Sequence, residues 1–157
     1  MGDSSLSIYK TRRVIANILA ATRSVFVLLD DLERVIGYDS TYKRYHRIMR
    51  QLDSQGELIQ RSRSRYELTN KGVVKLLPMI KPKLVKDGKL RILVFDVPEE
   101  RRTARNRFRR CIKMLGFQMH QRSVWVSRHD CEKWLGKVVE YYKLQDCVSL
   151  YMGKQVI

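Results

Sequence analysis

Apolar positions in the C-terminal half of the chain repeat with two different periods. A short run rich in strand formers covers residues 92–97 (ILVFDV) and is too brief for a core helix. Pro98 has no N–H to donate to a neighbouring strand and therefore ends the run. The next apolar residues fall at helical spacing: Ala104, Phe108, Cys111, Ile112 and Leu115. The pattern predicts a buried strand followed by a helix that packs back on the sheet.

The remaining C-terminal residues continue this alternation of strands and helices. Residues 117–121 and 123–127 read as two short strands, residues 129–143 as a helix and residues 147–152 as a last strand. The order β-α-β-β-α-β is that of the ferredoxin-like split unit. A sheet of this kind has one bare face or bare edges, and about seventy residues make a thin core. We therefore expect a two-fold dimer that buries this surface.

The N-terminal part begins with helical patterns over residues 9–21 and 25–36. A third helix is predicted over residues 40–55, with Tyr45, Ile48, Met49 and Leu52 as its apolar side. The other side carries basic and hydrogen-bonding residues: Thr41, Lys43, Arg44, Arg47 and Arg50. Such a helix suits the DNA major groove, whereas the alternative is an ordinary solvated face.

A hairpin is predicted directly after this helix. Residues 57–61 and 65–69 read as two strands around a polar loop, with Leu58, Tyr66 and Leu68 toward the core. Three arginines alternate along it and form a row of guanidinium groups at the tip: Arg61, Arg63 and Arg65. A short helix over residues 70–79 follows, and the stretch after it looks like an exposed basic linker.

Together these patterns predict an α+β protein with two domains. Residues 1–80 form the first, residues 81–88 the linker and residues 89–157 the ferredoxin-like domain. The formal net charge is +16, and each part contributes +8: 17 Lys and Arg against 9 Asp and Glu up to Gly88, then 15 against 7. The excess is thus not confined to a tail, which favours a nucleic-acid partner over a merely soluble basic protein.

Cysteine usage and hydropathy exclude several other classes. The three cysteines are odd in number and form no C-x-x-C pair, which argues against a disulfide scaffold and a structural zinc site and fits a reducing cytoplasm. No apolar run approaches a membrane span, and the first ten residues lack a signal-peptide core. We expect a cytoplasmic protein without a membrane, a small-molecule ligand or a resident cofactor.

Two resemblances sharpen this interpretation. The stretch LDSQGELIQRSRSRYELTNKG resembles the recognition-helix end and wing of winged helix-turn-helix regulators. The strand end FDVP, the following ERRTARNRFRRCIKMLGF and then QRSVWVS resemble a ferredoxin-like domain found in two groups: the small CRISPR-associated metal-dependent nuclease and integration subunit, and the central domain of PaaX-like transcriptional repressors. The resemblance implies the fold more specifically than the activity.

Asp96, at the end of the strand, is the one strong catalytic candidate. The resemblance to the CRISPR-associated nucleases implies that two copies, across a dimer axis, hold Mg²⁺ or Mn²⁺ for phosphodiester hydrolysis. PaaX-like repressors carry the same FD-[IV]-P pattern without being known as nucleases, so Asp96 can instead cap the turn through backbone N–H groups. The sequence therefore favours a binding protein over an enzyme.

The sequence leaves three functional hypotheses. We expect a PaaX-like prokaryotic transcriptional repressor that binds a specific duplex DNA sequence as a homodimer. The alternatives are a metal-dependent CRISPR-associated nuclease or adaptation subunit, and an architectural protein that binds DNA with little sequence preference. In the C-terminal domain the candidate DNA-binding residues are four arginines: Arg102, Arg105, Arg109 and Arg122. A role in maintaining the fold explains Arg122 equally well.

Overall fold

The computed structural model describes residues 9–10, 12–13, 15–16, 26–28, 41–80 and 85–157. The chain divides into two units, Met1–Lys83 and Leu84–Ile157. Helices and strands occur in both, which confirms the predicted mixture of α and β structure.

The first unit combines helices with a small antiparallel sheet. The described residues between 9 and 16 are helical. The later elements are β1 (Phe26–Leu28), α1 (Thr41–Ser54), β2 (Leu58–Gln60), β3 (Arg65–Leu68) and α2 (Asn70–Ile80). The three strands lie in the order β1-β3-β2, and both neighbouring pairs are antiparallel.

The strand β1 corrects one expectation. The helix predicted over residues 25–36 does not begin there, because Phe26–Leu28 pair with β3, with Val27 opposite Tyr66. Aromatic and β-branched residues fit a strand, and a short apolar run does not by its spacing distinguish the two structures. The remainder of that predicted helix lies outside the described residues.

The core of the first unit follows the predicted apolar positions. Ile48, Met49 and Leu52 of α1 are buried, and the hairpin adds the predicted inward residues Leu58, Tyr66 and Leu68. The helix α2 contributes a further buried face: Val73, Leu76 and Leu77. The side chain of Tyr45, the fourth apolar position predicted on α1, is outside the described set.

The second unit contains one four-stranded sheet and two α-helices. Its elements are β4 (Lys86–Phe95), a 3-10 turn (Glu99–Arg101), α3 (Arg102–Met114), β5 (Gln118–Gln121), β6 (Val124–His129), α4 (Glu132–Tyr141), a second 3-10 turn (Gln145–Cys147) and β7 (Val148–Gly153). The strand order is β5-β6-β4-β7, and every neighbouring pair is antiparallel. Each helix therefore connects two strands that are separated by one other strand.

The strand β4 begins earlier than its apolar run suggested. It starts at Lys86, inside the stretch interpreted as a linker, and Lys86 pairs with His129 of β6. The pairing register shifts between Lys86 and Arg91, and Gly88 has a φ of +80°, which glycine adopts at little cost. A polar, bulged extension of this kind carries no alternating hydrophobic signal, so it resembles a linker in sequence.

Side chains of the second sheet alternate between two different environments. On one side Leu93, Phe95 and Trp125 are buried with the predicted helical stripe, of which Phe108, Cys111, Ile112 and Leu115 are buried. On the other side Val94 and Tyr151 are 36% and 58% exposed. The second side is therefore an apolar surface that no described helix of this unit covers.

None of the described helices is long and apolar enough to cross a membrane.

Candidate nucleic-acid interface

The outer face of α1 is the first part of the candidate interface. Arg47 and Arg50 are exposed, while Ile48, Met49 and Leu52 bury the opposite face. Within the part of the chain that the structure describes, Arg47 and Arg50 have no hydrogen-bond or ion-pair partner, so both guanidinium groups are available to a ligand. The predicted Thr41, Lys43 and Arg44 lie in α1, but their side chains are outside the described set.

The end of α1 leads directly into the hairpin. Gly56 has a φ of +70° and donates its N–H to Asp53 O at 2.9 Å, and the Glu57 N–H donates to Leu52 O at 2.9 Å. This pair of bonds is the Schellman arrangement, which closes a helix and turns the chain sharply. The helix α1 also packs against β2, so the helix and the hairpin form one supported surface.

The hairpin tip carries the predicted arginines, but they do not form one uniform row. Arg61, Arg63 and Arg65 are all exposed. The Nε of Arg61 binds the Glu67 carboxylate at 2.7 Å, so part of its charge is compensated within the hairpin. Arg63 lies in the loop and makes no ion pair with any described residue. It is the arginine of the tip most available to a phosphate.

Glu57 anchors this surface from inside and was not singled out in the sequence. Its side chain is 1% exposed and accepts two hydrogen bonds from Arg12, at 2.6 and 3.1 Å, and one from Lys75, at 2.8 Å. Burial acts to raise the pKa of Glu57, but the bonds from Lys75 and Arg12 outweigh it and hold the pKa below its ordinary value. The ionised carboxylate thus ties the start of the hairpin to the first helix and to α2.

Thr69 fixes the junction between β3, the second strand of the hairpin, and α2. The Thr69 hydroxyl accepts a hydrogen bond from the Gly72 N–H at 3.0 Å, which is the usual N-terminal cap. It also donates to Gly56 O at 2.6 Å. One side chain therefore ends the hairpin, begins α2 and contacts the turn after α1.

In the second unit, Asp96 lies just beyond the end of β4 and is exposed. Its backbone N–H donates to Cys147 O at 2.9 Å. The carboxylate makes no hydrogen bond or ion pair with any described residue, so the capping role considered for it is absent from the described contacts. The arrangement leaves a free carboxylate at the strand end. Among the described residues, no three His, Cys, Asp or Glu side chains cluster closely enough to hold a metal ion.

The predicted arginines of α3 divide into exposed and anchored groups. Arg102 is exposed and weakly paired with Glu99 at 3.8 Å. Arg105 donates to Val97 O at 3.2 Å and to the Glu99 carboxylate at 2.8 Å, and this bond from Arg105 lowers the pKa of Glu99. Arg105 therefore helps to hold the turn between β4 and α3.

Arg109 joins α3 to the turn between β5 and β6. Its guanidinium lies 5.7 Å from the ring centre of Phe95 and donates to Arg122 O at 3.3 Å. Trp125 Nε1 also donates to Arg122 O, at 3.4 Å. Two donors thus fix the backbone of Arg122, whereas its exposed side chain remains available to a ligand.

A buried ionic network under α4 was also missed in the sequence. Arg91 is 1% exposed and makes two bonds of 2.7 Å to the Asp87 carboxylate and one of 2.7 Å to Glu132. The bond from Arg91 keeps the pKa of Asp87 well below its ordinary value. A side-chain hydrogen bond between Asp130 and Glu132 raises the pKa of Asp130. The inward position of Arg91 in the alternation of β4 is the signal that identifies it.

The second unit resembles a known family. Residues 84–156 match the family model of the PaaX protein central Cas2-like domain. The match supports a PaaX-like relationship for the chain. It covers the whole βαββαβ unit and just under half of the chain, and it does not extend to the α1–hairpin surface.

No curated protein and no solved structure matches the chain significantly.

Proposed function

We propose that the chain is a PaaX-like transcriptional regulator that binds a specific duplex DNA sequence and acts as a repressor in the cytoplasm. The observation that carries this proposal is the surface of α1 and the hairpin, where the exposed Arg47, Arg50 and Arg63 have no partner among the described residues. The match of the second unit to the PaaX central domain supports the regulatory role.

The first unit has the parts that a winged helix needs. A helix about 20 Å long, to judge from its 14 residues, presents its polar face next to a basic hairpin, which is joined by a third short strand. In such a module the helix reads base edges in the major groove, while the hairpin arginines contact phosphates or a narrow minor groove. Arg47 and Arg50 are thus the proposed readers, and Arg63 is the proposed phosphate contact.

We propose that the second unit is a ferredoxin-like dimerisation domain. Its element order and its strand order β5-β6-β4-β7 support this fold. The apolar side of the sheet, with Val94 and Tyr151 exposed, is the surface proposed to be buried against a second copy. Two copies would place two α1 helices on one duplex, which suits a site with two-fold symmetry.

Selection from a random duplex pool, followed by binding measurements, tests the proposal. We expect enrichment of one sequence and an affinity that falls linearly with salt on a double-logarithmic plot, because phosphate contacts release counterions. Arg47→Ala with Arg50→Ala should weaken binding to the selected site by about tenfold or more and reduce the preference for that site, since a good base contact contributes ~1–3 kcal/mol.

The matched control removes two exposed lysines from the second unit, with Lys89→Ala and Lys133→Ala. It has the same change of charge and should keep the sequence preference. If the Arg47 and Arg50 variant binds and selects like the parent, α1 is not the reader. If no sequence is enriched although duplex DNA binds, an architectural role replaces the regulatory one.

The exposed, unpaired carboxylate of Asp96 favours a second candidate, a metal-dependent nuclease. Two Asp96 side chains from a dimer would supply hard oxygen ligands for Mg²⁺ or Mn²⁺, which would activate a water for phosphodiester hydrolysis. Incubating DNA and RNA with each metal compares the parent with Asp96→Asn. Metal-dependent cleavage that this change abolishes supports the nuclease, and intact substrates rule it out.

A further inference from the structure

A cleft of about 950 Å³ opens on the helix side of the second unit. Arg105, Arg109 and Lys113 of α3 line one wall, and Arg122 and Ser123, in the turn between β5 and β6, line the other. Phe117 and Trp125 are nearly fully buried and form its floor. The cleft lies within one unit, so its geometry does not depend on how the two units are arranged.

The charge of this cleft is strongly one-sided. Four of the residues that line the cleft are cationic, and Glu99 is the one acidic residue in this lining. Arg105, Arg109 and Lys113 follow each other at intervals of four, which places them on one face of α3. Like charges at this spacing destabilise a helix, and of these three residues only Arg105 has a carboxylate partner, Glu99, among the described residues.

Two donors of the arginines that line the cleft lack an acceptor. The Nε atoms of Arg105 and Arg109 are buried and have no hydrogen-bond partner among the described residues. The terminal nitrogens of both side chains bind Val97 O, the Glu99 carboxylate and Arg122 O. These bonds hold the two guanidinium groups in place while leaving the Nε donors unused. A buried donor without an acceptor is unfavourable, so neither side chain is fully satisfied by the contacts around it.

We propose that this cleft binds a phosphate group. Phosphate offers several acceptor oxygens and a charge of at least −1, which suits two oriented arginines with Lys113 and Arg122 at the rim. A free phosphorylated compound and a nucleic-acid backbone present the same group, so the shared chemistry is what the cleft recognises. The site is separate from the α1–hairpin surface and does not rest on the winged-helix proposal.

Trp125 provides a direct test in the full-length chain. The protein has two tryptophans, and Trp134→Phe leaves Trp125, in the cleft floor, as the sole indole reporter. In low salt, the Trp134→Phe protein is titrated separately with inorganic pyrophosphate and with a 20-base-pair duplex, and the fluorescence of Trp125 is measured. Lys113→Ala with Arg122→Ala removes two exposed cations of the cleft, and Arg107→Ala with Arg110→Ala is the control of equal charge on the same helix.

We expect the fluorescence of Trp125 to change in a saturable way as ligand is added. The ligand concentration at the midpoint should rise by about tenfold or more in the cleft variant and by less than about threefold in the control. A response to pyrophosphate identifies a free phosphorylated ligand, and a response to the duplex alone identifies the backbone as the source. Equal weakening by both variants, or no response to either ligand, overturns the proposal. Near-ultraviolet circular dichroism verifies that both variants remain folded.

The phosphate site and the proposed function can fail independently of each other. Arg47→Ala with Arg50→Ala alters α1 and leaves every residue of the cleft in place, so it should not change the pyrophosphate response. A chain that fails to select a DNA sequence but still shows a cleft-dependent response retains the phosphate site alone.

Discussion

Glu57 and Asp96 are carboxylates next to the ends of strands, but their surroundings give them opposite properties. Glu57 is 1% exposed and is bound by Arg12 and Lys75, whereas Asp96 is exposed and has no partner within the described segments. The partners of Glu57 are 45 and 18 residues away in sequence, so only folding brings them together. The structural role therefore belongs to Glu57, and Asp96 is the carboxylate available for a ligand.

Replacing Glu57 with glutamine should destabilise the first unit in a pH-dependent manner. The folded state holds the pKa of Glu57 below its ordinary value of 4.5, so its stabilising contribution is present above pH 4.5 and is lost as the pH falls through the folded pKa. At pH 7 Glu57→Gln should cost roughly 1–3 kcal/mol, the usual contribution of hydrogen bonds between charged groups. The difference from the parent should shrink below pH 4.5.

Urea titration followed by the amide resonances of β2 and β3 measures this difference at each pH. Glu67→Gln is the control, because the partner of Glu67 is Arg61, which is 53% exposed, and an ion pair to an exposed side chain contributes little. A destabilisation by Glu57→Gln that is the same at pH 7 and pH 3 would contradict the ionic interpretation.

Sequence reasoning finds candidate residues by type but not by environment. The basic positions on the α1 face and hairpin tip could be predicted, because exposed arginines follow from the apolar period around them. The anchoring of Arg105 and Arg109 could not, since it depends on carbonyl groups that the turn after β4 and the turn before β6 bring to α3.

At the scale of elements, helix ends are the most regular feature of the second unit. Gly116 lies just beyond the end of α3 and has a φ of +80°. Two bonds of 3.0 Å close this helix, from Gly116 N to Lys113 O and from Phe117 N to Ile112 O. The helix α4 ends with the same two bonds around Lys143, whose φ is +54°. Both are Schellman ends, but only one of them has the residue that suits a positive φ.

We therefore predict opposite effects of exchanging residues at these two ends. Lys143→Gly should raise the stability of the second unit by about 1 kcal/mol, because glycine relieves the left-handed conformation. Gly116→Ala should lower it, since the added Cβ would lie 2.6 Å from His129 Nδ1 at an unfavourable φ. Tryptophan fluorescence during denaturation reports on this unit, because Trp125 and Trp134 both lie within it. If both substitutions changed the stability of the second unit in the same direction, this prediction would be wrong.

Element types were predictable where the period was long and unambiguous, and less so where it was short. The stripe of α3 and the buried Trp134, Leu135 and Val138 of α4 follow directly from spacing. The strand β1 could not be distinguished from a helix, since its identity depends on pairing with β3. The polar start of β4 was hidden for a similar reason, because its partner His129 is distant in sequence.

At the scale of the whole molecule, the open side of the second sheet is the feature that a monomer leaves unexplained. Val126, Ile92 and Tyr151 are opposite one another across β6, β4 and β7, on the side away from the helices. Val94 and Val124 form a neighbouring apolar pair. The topology shows that α3 and α4 both connect strands of this sheet, and neither helix covers this side.

A charge placed on that side should prevent the proposed dimer. Val126→Asp would put a carboxylate at the β6 end of the apolar row, where pairing two copies would bury two like charges at a cost of several kcal/mol. We expect the parent to sediment as a dimer and Val126→Asp as a folded monomer, with weaker binding to a two-fold DNA site because only one α1 helix engages at a time. For sedimentation, Met119→Asp is the matched control: Met119 is opposite Trp125, on the helix side of the same sheet. A parent that sediments as a monomer at micromolar concentration, or a Val126→Asp variant that remains a dimer, would show that this surface is not the interface.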